Sequence, residues 1–330
     1  MREPGFWWRA PGLASAVLSP FGRLYGAVAK NRMARAGTRA ALPVLCVGNF
    51  TLGGAGKTPT AMLLAELLRS ANETPFFLTR GYGGSATRPR LVNAEADAAR
   101  VVGDEALLLA RVAPTVVARN RVVGAALAKS KGASVVIMDD GLQNGSLAKD
   151  MTIAVIDGRR GIGNAHVFPA GPLRAPLAAQ LRRCHALLVI GDDVGAGDVI
   201  ALAGALPVFH GRLVPQQQAV TALRQRKVLA FAGIGDPDKF FATVEQAGIA
   251  IGERRAFADH HRYNAEQAAE LVMAAEHDAL TLLTTEKDRA RMNGDPALAA
   301  LAAQTQVLPV TLEVDEADAL RALVVGALRR

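Results

Sequence analysis

A glycine-rich stretch near residue 50 contains the residue types that bind the phosphates of a nucleotide. The stretch VGNFTLGGAGKTPT, residues 47–60, follows a short apolar run and precedes an apolar helical pattern. A phosphate-binding loop needs free backbone N–H groups, small residues that let phosphates approach, and a lysine that neutralises their oxygens. We therefore predict that seven residues of this stretch bind the nucleotide: Thr51, Gly53, Gly54, Ala55, Gly56, Lys57 and Thr58.

The stretch departs from the usual phosphate-loop pattern at one position. The pattern G-x-x-x-x-G-K-[ST] requires glycine where this sequence has Thr51. A glycine-rich turn that merely opens a helix would share these letters, but the flanking strand and helix favour a variant nucleotide loop. In that loop Lys57 neutralises the terminal phosphates and the Thr58 hydroxyl binds Mg²⁺.

Two adjacent carboxylates, Asp139 and Asp140, follow four apolar residues in VVIMDDG. Phosphate-loop enzymes place a carboxylate at the end of a neighbouring strand to hold magnesium or its water shell. Burying both groups would be costly unless a metal ion or basic groups met them. We predict that they bind the metal; exposed turn aspartates preceding Gly141 are the alternative.

Transfer of a phosphoryl group to a hydroxyl needs a group that accepts the proton, and two segments offer candidates. Asp104 lies in VVGDEALLLA, and Asp259, His260 and His261 lie in FADHHRY. Taken alone, Asp104 is better explained as the N-cap of the apolar helix that follows it. An aspartate ionises near pH 3.9 and is a weak base, whereas an adjacent imidazole accepts a proton near neutrality.

The pattern of apolar runs indicates the elements that must position these residues. From residue 42, short apolar runs without polar alternation are separated by helix-like segments. This is typical of parallel strands that are buried on both faces. The sequence predicts an α/β fold: a phosphate-loop NTPase-like parallel sheet with helices on both faces, plus a smaller α/β C-terminal unit.

A change of character after Val208 places a boundary between two units. We expect a basic aromatic N-terminal segment over residues 1–40, a nucleotide-binding core over residues 41–212, and a smaller α/β unit over residues 213–330. Because His260 would come from the second unit, closure of the two units would assemble the site.

Composition restricts the class of partner. The 330 residues are 50% hydrophobic and carry a formal net charge of +8, which favours an anionic surface or substrate. The aromatic fraction of 5% argues against nucleic acid, as does the absence of basic residues interleaved with an aromatic platform outside the first forty residues. Cys46 and Cys184 lie in apolar runs, so we expect buried thiols in a reducing cytoplasm.

The first forty residues interleave aromatic and basic side chains. No acidic residue lies between Glu3 and Glu66, and no apolar stretch reaches the roughly 18 residues that cross a bilayer. Such a segment suits a helix lying among anionic headgroups, and a basic helix packed on the body with its tryptophans in a groove is an equal alternative. The aromatic side chains are Trp7, Trp8, Phe21 and Tyr25.

Eight motifs, in this order along the chain, resemble the tetraacyldisaccharide 4'-kinase family of lipid A biosynthesis. They are VGNFTLGGAGKTPT, TRGYGG, VGDEALLLA, DDGLQN, FPAGPLR, FAGIGDP, FADHHRY and LTTEKDRAR. The resemblance implies transfer of the ATP γ-phosphate, with Mg²⁺, to the 4'-hydroxyl of a tetraacylated glucosamine disaccharide 1-phosphate. It also implies a peripheral or monotopic enzyme on the cytoplasmic face of the bacterial inner membrane, with no nucleic acid or obligate protein partner.

The resemblance also implies roles for individual residues. Asp104 would take the acceptor proton, assisted by the Asp259–His260 pair, while Lys57 and Arg174 neutralise charge. The residues expected to contact the substrate are Asn49, Tyr82, Gln143 and Arg174.

The sequence departs from the family pattern at three positions. Leu142 and Asn144 stand where Phe and His are more common, and Ala175 stands where Glu is usual. Because an asparagine does not titrate near neutrality, Asn144 is not expected to carry a proton.

A phosphate-loop GTPase or ATPase switch without a phosphoryl acceptor is the main alternative. The letters TEKD, residues 285–288, fit the guanine-specific N/T-K-x-D motif loosely, because Glu286 precedes the lysine. A switch would leave the acceptor-side motifs unexplained, so we favour the kinase.

Overall fold

The structure is a computed structural model that describes residues 3–329, and this part of the chain forms thirteen strands and thirteen α-helices. The strands are β1 Val44–Asn49, β2 Pro75–Thr79, β3 Arg90–Leu91, β4 Thr115–Val117, β5 Val135–Asp139, β6 Met151–Asp157, β7 Ala186–Ile190, β8 Val208–Pro215, β9 Lys227–Ala232, β10 Ala250–Ala256, β11 Thr281–Thr284, β12 Gln306–Val307 and β13 Val310–Val314. The helices are α1 Leu13–Ala34, α2 Lys57–Ser70, α3 Ala99–Val102, α4 Asp104–Val112, α5 Arg121–Ser130, α6 Leu177–Leu181, α7 Gly197–Ala203, α8 Gln217–Leu223, α9 Pro237–Gln246, α10 Ala265–His277, α11 Glu286–Met292, α12 Ala299–Gln304 and α13 Ala317–Gly326.

The larger sheet has the strand order β13-β8-β7-β6-β1-β5-β2-β4-β3. Its strands are parallel except at the two edges, where β13 pairs antiparallel with β8 and β3 pairs antiparallel with β4. The smaller sheet is parallel throughout, in the order β10-β9-β11-β12. The prediction of a largely parallel α/β sheet with a smaller α/β unit is confirmed.

Both faces of the larger sheet are covered, which explains why its strands lack polar alternation. Leu45 and Val47 of β1 pack with α2 and α13 on one face, and Val44 and Cys46 pack with α5 on the other. Both cysteines are free and buried, as expected. Because parallel strands end at the same edge, the loops after β1 and β5 lie side by side there.

The end of the chain returns to the first sheet. The expected boundary between residues 212 and 213 falls inside β8, and β13 pairs with β8 although it follows the second sheet in sequence. This pairing buries Leu312, Leu320 and Val324 against α2 and the central strands, which stabilises the edge of the larger sheet. The second unit therefore comprises α8 through β12, residues 217–307.

The N-terminal helix α1 packs one face on the body. Gly22 and Gly26 are buried against the segment that contains Val167 and Pro176, where a β-carbon would crowd the neighbouring atoms. Trp7 is 5% exposed and its indole Nε1 donates to the carbonyl of Pro169 at 3.1 Å. Trp7 thus packs in a groove of the body. The prediction that it lies among membrane headgroups is wrong for this side chain, because its ring is already buried.

The opposite face of α1 is apolar and uncovered. None of the helices between residues 3 and 329 is long and apolar enough to cross a membrane. The large apolar side chains of α1 that lie exposed are Leu13, Val17, Phe21, Leu24, Tyr25 and Val28.

Candidate active site

The glycine-rich loop joins the end of β1 to the start of α2. Gly53 and Gly56 have φ angles of +99° and +93°, a left-handed conformation that favours glycine. A β-carbon would collide with the Glu3 carboxylate at Gly53 and with the side chain of Ile190 at Gly56. The loop therefore requires both glycines, and it leads into a helix N-terminus, which is a binding site for anions.

Lys57 is a buried cation at the first position of α2. Its Nζ donates to Asn49 Oδ1 at 3.2 Å and lies 3.8 Å from Asp140 Oδ1. Burial lowers the pKa of the ammonium, while the Asp140 carboxylate acts in the opposite direction. Thr58 is 4% exposed beside it, so one lysine and one hydroxyl lie together at the base of the loop.

Asp139 at the end of β5 has no hydrogen-bond partner on either carboxylate oxygen within the described structure, although it is fully buried. This burial raises its pKa to about 7. An orphaned buried carboxylate is costly, and a cation or its water shell would satisfy it. The observation fits a metal ligand better than the alternative of an exposed turn aspartate.

Asp140 is held by an arginine from a distant segment. Arg174 Nη1 donates to Oδ1 and Oδ2 of Asp140 at 2.9 and 3.0 Å, and Arg174 Nε donates to the carbonyl of Thr51 at 2.8 Å. Burial alone would raise the pKa of Asp140, but Lys57 and Arg174 hold it well below its ordinary value. Arg174 thus ties the second carboxylate to the nucleotide loop.

Asp104 and His260 meet across the cleft between the two units. Asp104 is the first residue of α4 and makes no capping hydrogen bond; the N-cap is Gly103. Its Oδ1 accepts from the backbone N–H of Glu105 at 3.0 Å, and its Oδ2 lies 3.2 Å from His260 Nδ1. The capping interpretation is therefore wrong, because the carboxylate is turned toward the imidazole.

Asp104 and His260 shift each other's pKa in opposite directions. The hydrogen bond that the Asp104 carboxylate accepts raises the pKa of His260. Burial would raise the pKa of Asp104, but the hydrogen bond from His260 and the charge of Arg291 hold it well below its ordinary value. His260 has a left-handed φ of +55°, and its backbone N–H donates to Asp259 Oδ1 at 2.9 Å.

The residues expected to contact substrate fall into two groups. Tyr82 is 64% exposed, and its ring centroid lies 5.0 Å from that of His260. Asn49 is fully buried and turned toward Lys57, while Gln143 Nε2 donates to the Asn49 carbonyl at 2.8 Å. Tyr82 therefore faces the open cleft, and Asn49 supports the nucleotide loop from below.

Of the three positions that depart from the family pattern, Asn144 lines the cleft and the other two are buried. Asn144 Oδ1 accepts from the backbone N–H of Ser146 at 2.9 Å and from its hydroxyl at 2.7 Å, which stabilises a local turn. Ala175 is fully buried, and Leu142 is 1% exposed in the core.

Two cations of α11 were not predicted. Lys287 Nζ lies 2.8 Å from Glu105 Oε1, and Arg291 Nε donates to Asp104 Oδ2 at 2.7 Å. Their spacing of four residues places them on one face of a helix that begins after a strand, a signal the sequence does contain.

One cleft between the units contains these groups. It is lined by Gly53, Lys57, Thr58, Asp140, Arg174, Asp259, His260 and Lys287. The cleft thus combines a phosphate-type loop with His260, and the buried carboxylates of Asp139 and Asp104 lie directly behind its lining residues. This arrangement is typical of a phosphotransferase of the phosphate-loop kinase class.

Comparisons with known proteins agree with that class. The family model described as tetraacyldisaccharide-1-P 4'-kinase, LpxK, matches residues 14–329. A tetraacyldisaccharide 4'-kinase of Rhodopseudomonas palustris (strain BisB18) is 54% identical over 99% of this chain and 96% of that protein. Another from Nitrobacter winogradskyi is 50% identical over 100% of this chain and 98% of that protein.

A solved structure shares the fold. Crystalline LpxK from Aquifex aeolicus in complex with ATP matches with a TM-score of 0.75 and 24% identity, covering 96% of this chain and 100% of that one. The chain belongs to the tetraacyldisaccharide 4'-kinase family. The resemblance read from the motifs is confirmed, and the protein is a kinase that acts on a hydroxyl group.

Proposed function

We propose that this enzyme transfers the γ-phosphate of ATP to the 4'-hydroxyl of a tetraacylated glucosamine disaccharide 1-phosphate, a step of lipid A biosynthesis. The observation that carries the proposal is the Asp104–His260 pair: His260 lines the same cleft as the nucleotide loop, and the buried Asp104 lies 3.2 Å behind its imidazole. The pair comes from different units, so it is complete only when they meet.

The reaction divides among these residues. Phosphoryl transfer has a loose transition state that demands little activation of the nucleophile, so positioning and charge neutralisation dominate. Lys57 and Arg174 neutralise the transferred group, Asp104 orients the acceptor hydroxyl, and His260 shares its proton. Asp259 holds the His260 backbone, and Tyr82 supports the acceptor beside the imidazole.

The residues at the end of β5 fit a magnesium ion. The Asp139 oxygens lack partners in the described structure, and Thr58 and Asp140 lie at the same edge. These three would hold Mg²⁺ or its water shell, and the ion would supply positive charge that offsets the negative charge of the nucleotide phosphates during transfer.

The exposed face of α1 supports a location at an anionic membrane surface. Phe21 and Leu24 are 63% and 69% exposed, and the cations Arg23, Lys30 and Arg32 on the same helix are also exposed. Apolar side chains flanked by cations suit a helix that lies in the headgroup layer. We place the enzyme peripherally or monotopically on the cytoplasmic face of the bacterial inner membrane, where its lipid acceptor is presented.

A nucleotide switch is not favoured. In a guanine-specific motif the aspartate binds the base. Asp288 is instead fully buried and accepts from Gly233 N at 3.0 Å and from the Tyr263 hydroxyl at 2.9 Å. Asp288 is thus part of the packing of the second unit and is not placed to bind a base.

The test is a transfer assay. Purified enzyme is incubated with Mg²⁺, ATP labelled at the γ-phosphate and the disaccharide lipid in detergent, with the same lipid blocked at the 4'-hydroxyl as the control. Label that migrates with the free lipid alone supports the proposal. Release of inorganic phosphate without labelled lipid would instead make the protein a hydrolase or switch.

A further inference from the structure

Arg291 of α11 reaches across the cleft to the carboxylate of Asp104. Its Nε donates to Asp104 Oδ2 at 2.7 Å, and its Nη2 lies 2.6 Å from the same oxygen. That oxygen also lies 3.2 Å from His260 Nδ1. One carboxylate oxygen of the first unit therefore meets both the guanidinium and the imidazole of the second.

Arg291 is itself fixed by groups of its own unit. Its Nη1 donates to the Gly233 carbonyl at 2.6 Å and to Asp288 Oδ1 at 2.7 Å. Asp288 is fully buried, and the Arg291 side chain is 6% exposed. The guanidinium group is planar and rigid, so buried partners at Nη1 also fix the direction of the remaining Arg291 donors.

We propose that Arg291 is a positioning residue for phosphoryl transfer, which holds Asp104 Oδ2 against His260 Nδ1 when the two units meet. The inference rests on the proposed function, because it requires Asp104 and His260 to orient the acceptor hydroxyl and share its proton. Arg291 acts through Asp104. Because Asp288 holds Arg291, the Asp104 carboxylate is correctly oriented only when the second unit is correctly packed.

The guanidinium also balances the charge around the imidazole. The charged groups that face His260 are Asp104 and Asp259, which favour its protonated form, and Arg291, which disfavours it. Loss of Arg291 frees the Asp104 carboxylate to rotate away from the imidazole. Because the hydrogen bond to Asp104 is the largest cause of the raised pKa of His260, that pKa then falls, although removal of the Arg291 charge acts weakly in the opposite direction. A lysine keeps the charge, but one ammonium cannot reach Asp104, Asp288 and the Gly233 carbonyl together.

The experiment compares Arg291→Gln and Arg291→Lys with Arg289→Gln, which removes a cation of the same helix whose Nη1 bonds Asn293 instead. We expect kcat of Arg291→Gln to fall about 100-fold, the loss that a misplacement of about 1 Å produces, with little change in the KM for ATP. The acidic limb of its pH–rate profile should move to lower pH, in the same direction as that of Asp104→Asn, because the displaced carboxylate no longer raises the pKa of His260. Arg291→Lys should recover part of kcat, and Arg289→Gln should match the wild type.

Two results would overturn the inference. The first is an Arg291→Gln enzyme whose kcat lies within threefold of the wild type. The second is an Arg291→Gln enzyme that loses kcat and melting temperature together, with an unmoved acidic limb and no recovery of kcat in Arg291→Lys. Asp104→Asn and His260→Ala are assayed in parallel. If these two variants stay active, the proton pair itself is wrong; if they are inactive while Arg291→Gln is active, only the role of Arg291 fails.

Discussion

At the scale of single residues, Lys57 is a buried cation whose stability depends on the anionic groups that face it. It is buried, burial lowers its pKa, and its closest polar partners among the described residues are Asn49 and Asp140. A buried ammonium with so few partners is destabilising unless phosphate oxygens or carboxylates face it. The same feature makes it effective, because charge interactions are stronger in a site that excludes water.

Lys57→Met should lower kcat by about 10²–10³, the loss expected for one donor to a transition-state charge. The fold should persist, because methionine fills the same volume without a buried charge. The measurement is lipid phosphorylation together with the melting temperature. Arg69→Ala, near the end of the same helix α2, is the control and should retain activity. Near-normal turnover by Lys57→Met would exclude phosphate binding by the nucleotide loop.

The proton pair predicts a pH dependence of known sign. The Asp104 hydrogen bond raises the pKa of His260 above its ordinary value of 6.5. Because the imidazole must be unprotonated to accept a proton, the rate should fall as the pH decreases through this raised pKa. Asp104→Asn removes the carboxylate charge, so the acidic limb should move to lower pH while kcat falls by about 10²–10⁴.

The measurement is kcat/KM of lipid phosphorylation against pH for wild type and Asp104→Asn, with His277→Gln as the control. His277 is exposed at the end of α10, so its replacement should leave the limb unchanged. An Asp104→Asn enzyme with normal kcat and an unmoved limb would contradict the role of the pair.

At the scale of elements, α1 has two unlike faces: one packs on the body, and the other is apolar and exposed. Gly22 and Gly26 let it approach the body closely, and Trp7 anchors the segment before it. Deleting residues 1–30 would therefore disturb packing as well as any membrane contact. Substitutions confined to the exposed face separate these effects.

The double variant Phe21→Ser and Leu24→Ser should weaken binding to anionic liposomes at least tenfold. Each side chain contributes about 1.5 kcal/mol or more when buried in an apolar phase. Stability should change by no more than about 0.5 kcal/mol because both side chains are exposed. Flotation with liposomes at low and high salt measures the binding, since salt screens the attraction of the cations.

Leu202→Ser is the matched control for that experiment. Leu202 is 65% exposed on α7, outside the N-terminal segment. It should float like the wild type. Equal flotation of the α1 double variant would place the membrane contact elsewhere on the protein.

At the scale of the whole molecule, ion pairs join the two units on both sides of the cleft. Lys239 Nζ lies 3.0 Å from Asp157 Oδ2 on one side, and Lys287 Nζ lies 2.8 Å from Glu105 Oε1 on the other. Arg160 contacts both Glu3 and Asp236, so it also links the N-terminal segment to the second unit. These contacts join the two units on either side of the nucleotide loop.

Lys239→Ala should raise the KM for ATP about two- to fivefold and change kcat little. Such a half-exposed pair contributes no more than about 1 kcal/mol, and it acts on closure rather than on the chemistry. Steady-state kinetics at low and high salt measure the effect, which salt should diminish in the wild type. The control is Arg254→Ala, because the Arg254–Glu245 pair lies within the second unit; an equal rise there would argue against closure.

The sequence alone determined those features that depend on a few consecutive residues. A phosphate loop could be predicted from Gly53, Gly56 and Lys57, because a left-handed backbone and a helix N-terminus require particular residue types. Uninterrupted apolar runs predict a parallel sheet because strands covered on both faces have no polar side. The order of eight short motifs was enough to predict the family.

Only the tertiary structure decided which distant groups meet. Asp104 matches a helix cap in sequence, yet its carboxylate pairs with His260 and Arg291, which are more than 150 residues away. The return of β13 to the first sheet likewise depends on an edge that β8 leaves open. Such contacts arise from the burial of faces distant in sequence, and local propensity carries no information about which partner will cover a given face.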